Sequence, residues 1–245
     1  MAKNIKFKQI GIVAAVVAAT MCAVQPAMAD SLTFNGLYYS GADIVTINNA
    51  SINEGPVYSG GFSMTDTTGA WTMGGVTTAK NASFMAWCID IYDHMKSTDY
   101  TLYGPTSFNP VSHDTLTPAK ISALDRLASN DLSKVTDAKT SSAFQLAAWE
   151  IMAETTSTLN VGNGTFYVKG DALGADTLAN SWLANLYTAT PTQNLQLYIW
   201  TANIQGSTQD LAVFAPVPEP ETYAMMLAGL GLLGGMARWR KATQK

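Results

Sequence analysis

Hydrophobic residues follow two regimes along this chain. In the first half they come in short runs among small and polar residues: Leu32, Phe34, Leu37 and Tyr39, then Ile44, Val45 and Ile47, then Val57 and Tyr58. Phe62 and Met64, Trp71 and Met73, and Val76 continue the series, with Gly60–Gly61 and Gly74–Gly75 as separators. Short β-prone runs broken by Gly and Asn predict antiparallel strands joined by tight turns. Residues 84–92 form an apolar run of strand length that periodicity alone does not separate from a helix segment. Beyond a polar loop with Gly104, Pro105 and Pro110 the period changes to that of helices. Thr117 followed by Pro118 is a helix start, and Ile121, Leu124, Leu127 and Ala128 make its apolar stripe. A second helix is predicted over 141–154, with Phe144, Ala148, Ile151 and Met152 at helical spacing. A third is predicted over 175–187, carrying Leu178, Trp182, Leu183 and Leu186. Short strands are predicted at 166–168, 195–200 and 211–214. This order predicts an α+β domain, an antiparallel β-sheet with an inserted helical region of about three helices.

The two ends obey other rules. Lys3, Lys6 and Lys8 precede an apolar stretch over 10–24, and Ala27, Met28 and Ala29 give a small-x-small cleavage pattern. Residues 1–29 therefore read as a secretory signal peptide. At the other end, residues 222–237 carry no charge in sixteen positions. As a helix they reach roughly 24 Å, a slightly short membrane span, with Trp239 at the interface and Arg238, Arg240 and Lys241 as a basic stop. The predicted organisation is a signal peptide over 1–29, an extracytoplasmic domain over 30–215, and a C-terminal segment over 216–245 ending in a single transmembrane helix.

Charge and cysteine content narrow the function. Residues 30–215 hold seven Lys and Arg against sixteen Asp and Glu, a net charge of −9. Such a surface excludes nucleic acid and anionic lipid as electrostatic partners. Basic residues beside the terminal helix belong on the cytoplasmic side, which places the acidic domain outside, anchored at the inner membrane. Cys22 leaves with the leader, so Cys88 is the lone thiol of the mature chain.

Val217, Pro218, Glu219 and Pro220, then the apolar helix, then Arg238, Arg240 and Lys241 resemble the PEP-CTERM sorting signal of exported proteins in Gram-negative bacteria. That resemblance implies recognition and processing by an exosortase-type membrane enzyme. It also implies display at the cell surface or in the extracellular matrix, in organisms that make exopolysaccharide. It covers about a tenth of the chain and implies no activity for the rest.

Two blocks in the domain carry candidate chemistry. Trp87, Cys88, Ile89 and Asp90 form one, and Phe144, Gln145, Ala147, Trp149, Glu150 and Ile151 the other. Together they resemble the thioester domains of bacterial surface adhesins. There a Cys thiol and a Gln carboxamide condense with loss of ammonia into a latent electrophile that a partner's amine or hydroxyl attacks. By this resemblance Cys88 supplies the thiol and Gln145 the acyl group, with Trp87, Phe144 and Trp149 as a shield. The chemistry asks for a thiolate, and the start of the Gln145 helix near Cys88 would lower its pKa.

Other readings stand beside it. Cys88 and Gln145 also suit a core, as a small buried hydrophobe and a backbone-bonded amide. The leading expectation is a non-enzymatic surface or matrix protein with a structural or interaction role linked to exopolysaccharide or another surface ligand. The alternatives are a covalent adhesin with a Cys88–Gln145 thioester, and a cysteine hydrolase built on Cys88, His113 and Asp114. Asp90, Asp93 and His94 lie close in sequence but read as a solvated surface, so no metal site and no cofactor are expected. The many aromatic residues read as core and sheet packing, with sugar stacking as the lesser alternative.

Overall fold

The computed structural model of the chain describes residues 29–49, 53–105, 115–155, 158–204, 206–217 and 227–233. The predicted signal peptide, apart from its last residue Ala29, lies outside the described residues, as do Pro218, Glu219, Pro220, Arg238, Arg240, Lys241, His113 and Asp114. Residues 227–233 are helical. The predicted span over 222–237 falls partly outside, and among the described residues no helix is long and apolar enough to cross a membrane.

The strands are β1 (Ala29–Leu37), β2 (Asp43–Asn49), β3 (Asn53–Ser59), β4 (Phe62–Asp66), β5 (Trp71–Met73) and β6 (Val76–Thr78). They continue with β7 (Ser83–Cys88), β8 (Thr98–Tyr103), β9 (Phe166–Lys169), β10 (Leu195–Ala202) and β11 (Leu211–Pro216). The α+β class holds, but the strands do not share one sheet. β1, β4, β7, β11, β10 and β8 close in that order into an antiparallel barrel, β3, β2 and β9 make a second sheet, and β5 and β6 a hairpin.

The glycine pairs explain the split. Gly74 and Gly75, at φ 53° and 79°, turn β5 back on β6 in the double-positive geometry that a tight hairpin needs. Gly60 and Gly61 instead carry the chain from one sheet to the other. The Gly61 N–H donates to Ser141 Oγ at 2.9 Å. A side chain there would stand 3.0 Å from Met85 and Trp87, so the crossing needs bare backbone.

Three α-helices pack on this frame: α1 (Pro118–Asp131), α2 (Ala138–Ala153) and α3 (Ala175–Ala184). Thr117 caps α1 ahead of Pro118, as the sequence predicts. Asp137 and Thr140 form a capping box on α2. The helical spacing of Phe144, Ala148, Ile151 and Met152 understates the burial of α2, because every residue from Ser141 to Ala153 is buried. The helix is wedged between the barrel and the second sheet, so its polar residues face partners rather than water. Ser142 Oγ accepts from the Asp43 N–H at 3.1 Å and donates to the Ser59 carbonyl at 2.7 Å. On the barrel side, the Phe144 ring lies 4.3 Å from that of Trp87, centre to centre.

The hairpin of β5 and β6 closes against the end of β11, where a side chain on Gly74 would sit 2.1 Å from the Pro216 carbonyl oxygen. Gly74→Ala is expected to destabilise the fold by about 2 kcal/mol, from a forced positive φ and a backbone clash. Urea unfolding measures this, and an unchanged midpoint would show that the hairpin does not dock on β11.

Candidate functional site

Strand β7 ends at Cys88, and its two edges are treated differently there. On one edge Cys88 stands opposite Leu211 of β11, and the Ile89 N–H donates to the Asp210 carbonyl at 3.1 Å. On the other edge β4 begins at Phe62, opposite Ala86, so no strand residue faces Cys88. Backbone donors and acceptors cannot be left bare in a core. The Gln145 carboxamide fills the gap. Its Oε1 accepts from the Cys88 N–H at 3.1 Å, and its Nε2 donates to the Cys88 carbonyl at 2.7 Å. Both residues are fully buried, and 57 positions separate them in sequence.

Alternation along β7 decides where the sulfur points. Phe84, Ala86 and Cys88 share a face with their pairing partners Met64, Phe62 and Leu211, while Trp87 turns the other way to meet Phe144 of α2. The thiol donates to the Asp90 carbonyl at 2.9 Å. Burial pushes its pKa well above the ordinary thiol range, and the nearby Asp90 and Asp210 charges push the same way. Trp149 and the Asp90 backbone oppose that shift. The expectation of a helix N-terminus lowering the Cys88 pKa is therefore corrected. Gln145 lies in the middle of α2, where no free N–H groups face the thiol, and desolvation dominates.

Carboxylates crowd the same layer. Asp90 and Asp210 are fully buried. Asp90 Oδ1 accepts from the Tyr92 N–H at 3.0 Å, and Asp210 Oδ1 from the Ala202 N–H at 2.9 Å. Five residues past Gln145, Glu150 is also fully buried. Its Oε1 accepts from the Asn160 N–H at 2.6 Å, and its Oε2 has no hydrogen-bond partner. Burial raises its pKa to about 7, helped by Glu154 and opposed by the Asn160 N–H. Glu154 binds the backbone of Thr155, Thr165 and Phe166. The two acids thus fasten the chain after α2 to the helix end.

Of Asp90, Asp93 and His94, expected to be solvated, His94 is exposed and Asp93 half-buried, while Asp90 is buried. The segment is a turn rather than a helix, so Asp90 is drawn inside while Asp93 and His94 line a cavity of about 290 Å³. Phe34, Phe62, Ile91, Trp149 and Gln209 also line it. Among the described residues no three His, Cys, Asp or Glu side chains are grouped to hold a metal ion. The roles of Asp210 and Gln209 were not legible from sequence, because both sit in the turn between β10 and β11 with no motif around them. Glu150 had a signal, since it belongs to the block that starts at Phe144.

Chemically, the arrangement sets a carboxamide against the residue that carries the thiol, in a dry environment, with a backbone N–H already on the carboxamide oxygen. Attack of the sulfur on the Gln145 carbonyl carbon would build negative charge on Oε1, where that N–H stabilises it.

The PEP-CTERM protein-sorting motif matches residues 216–241, which marks the chain as an exported protein handled by an exosortase-type enzyme. No curated protein matches its sequence. Several solved structures are similar in shape. One is the N-terminal thioester domain of a surface protein from Clostridium perfringens, with 12% identity and a TM-score of 0.38 over 71% of this chain and 99% of that one. Another is the N-terminal domain of the Streptococcus pyogenes pilus tip adhesin Cpa, with 12% identity and a TM-score of 0.39 over 75% and 99%. A third is the N-terminal thioester domain of fibronectin-binding protein SfbI from Streptococcus pyogenes, with 12% identity and a TM-score of 0.36 over 72% and 96%.

Glu150 gives the domain a pH signature. Its pKa rises from 4.5 when unfolded to about 7 when folded. A raised carboxyl pKa favours the fold below the unfolded value, and that contribution is lost as pH climbs through 7. Wild-type stability is expected to fall between pH 4.5 and 7 and level off above. Glu150→Gln should flatten this slope and gain on the order of 2 kcal/mol at pH 8. Urea unfolding across that range checks it, and parallel curves for the two proteins would contradict it.

Proposed function

We propose that this is an exported surface protein whose Cys88 and Gln145 condense into an internal thioester, through which the domain attaches covalently to a partner. The observation that supports this reading is the two-point clamp of the Gln145 carboxamide on Cys88. In the condensation the Cys88 sulfur bonds to the Gln145 carbonyl carbon and the C–N bond breaks. The thiol proton leaves with the amide nitrogen as ammonia. No oxidant or cofactor is needed. The buried aromatic side chains of Trp87, Phe144 and Trp149 exclude the water that would hydrolyse the product.

The reaction is used once per molecule, so the protein is not an enzyme with turnover. Burial of Cys88 and its raised pKa run against a cysteine hydrolase, which needs an accessible and activated thiolate. The sorting signal supplies the setting. The tail holds the domain at the outer face of the inner membrane until processing between the domain and the apolar segment sends it to the surface or matrix. There exopolysaccharide or another surface ligand is the target of attachment.

The test is the intact mass of the purified exported protein. Relative to Cys88→Ala, corrected for that substitution, the wild type is expected about 17 Da light, the mass of one ammonia. Methylamine should then add about 31 Da and free one thiol for alkylation. A wild type at its full sequence mass leaves Gln145 as a backbone-satisfying amide and sinks the proposal.

A further inference from the structure

The cavity of about 290 Å³ raises a question that the thioester reading leaves open, namely how a nucleophile reaches a bond buried this deeply. The cavity lies where the barrel meets the second sheet. Phe34 and Phe62 come from β1 and β4, Ile47 and Val57 from β2 and β3, and Asp93 and His94 from the turn that follows β7. Trp149 forms part of its wall, and so does Phe62, which pairs with Ala86 on the face of β7 that carries Cys88. The cavity therefore borders the layer that holds the reactive pair. Gln145 and Trp149 are four residues apart on α2, one turn along the same face. The lining also presents proton acceptors. Gln209 Oε1 is closed off from solvent and has no hydrogen-bond partner, and the Asp93 carboxylate and His94 imidazole stand on the same wall.

We propose that this cavity is the port through which a protic nucleophile, R–NH2 or R–OH, reaches the Gln145 acyl carbon, with Trp149 as its gate and His94 as the general base. The proposal rests on the thioester reading. In the step, the nucleophile's N or O bonds to the Gln145 carbonyl carbon and the C–S bond breaks. His94 takes the nucleophile's proton and returns it to the sulfur, restoring the Cys88 thiol and leaving an amide or ester on Gln145. The burial that keeps the thiol protonated makes a bare thiolate a poor leaving group here, so proton return is part of the step. Gln209 Oε1 holds the incoming N–H or O–H. A volume of about 290 Å³ leaves space for a single side chain or a sugar ring, not for a folded segment.

The test uses the purified exported protein, with its mass taken first. A wild type without the ammonia deficit overturns the thioester reading itself, and with it the port. With the deficit present, His94→Gln is expected to slow adduct formation with methylamine and with glycerol roughly a hundredfold. Hydroxylamine, largely unprotonated at neutral pH and strongly nucleophilic, is expected to slow less than threefold. The methylamine and glycerol arms separate amide from ester formation. Equal slowing of all three, or of none, rules out His94 as the base. If His94→Gln fails to fold or to form the thioester, Val57→Phe decides by narrowing the port. It should spare methylamine and slow glycerol at least tenfold, and an unchanged ratio overturns the port.

Discussion

At the end of β7 the barrel runs out of strands on one edge. β4 starts opposite Ala86, and the next exposed pair of backbone groups belongs to Cys88, in the interior. A folded core does not tolerate an unmet N–H and C=O at that depth. One carboxamide from α2 meets both. This requirement fixes the depth and rotation of α2, which is why the helix is buried on all sides and why its Ser141 and Ser142 bind the backbone of the crossing between sheets. The fold and the candidate chemistry thus share a single contact.

On the proposed thioester reading, reactivity and stability are not opposed at this contact. Sulfur chemistry usually begins with a lowered pKa, yet burial, the largest influence on Cys88, raises it. The arrangement relies on proximity instead: a carboxamide held in place, a donor on its oxygen and no water. Burial that hinders a free nucleophile also protects a finished thioester. The buried acids around the site belong to this economy of space. Glu150 and Glu154 bind the chain after α2 back onto the helix, and Asp210 ties the turn between β10 and β11 to the barrel.

Much of this was legible in the sequence, unevenly so. The helix start at Thr117 and Pro118 and the hairpin at Gly74 and Gly75 follow from local chemistry, and both form where local rules place them. The pairing of Cys88 with Gln145 came from two blocks that resemble a known family, not from spacing. Local rules failed where the choice was tertiary. Gly60 and Gly61 look like a hairpin turn and are a crossing between sheets, because what sets the path is contact with Ser141, Met85 and Trp87. Asp90 looked like a surface acid and is inside, because the turn after β7 folds back to accept the thiol hydrogen bond. The position of Gln145 along α2, far from the helix start, depends on how deep the helix sits, which no periodicity reports.

A high-resolution crystal structure of the mature protein tests the central claim most directly, at the space between the Cys88 sulfur and the Gln145 side chain. Continuous density joining Sγ to the carboxyl carbon of residue 145, with Nε2 gone and the Cys88 N–H still on Oε1, is the predicted result. An intact carboxamide that still donates to the Cys88 carbonyl, beside a free thiol bonded to Asp90, would contradict it.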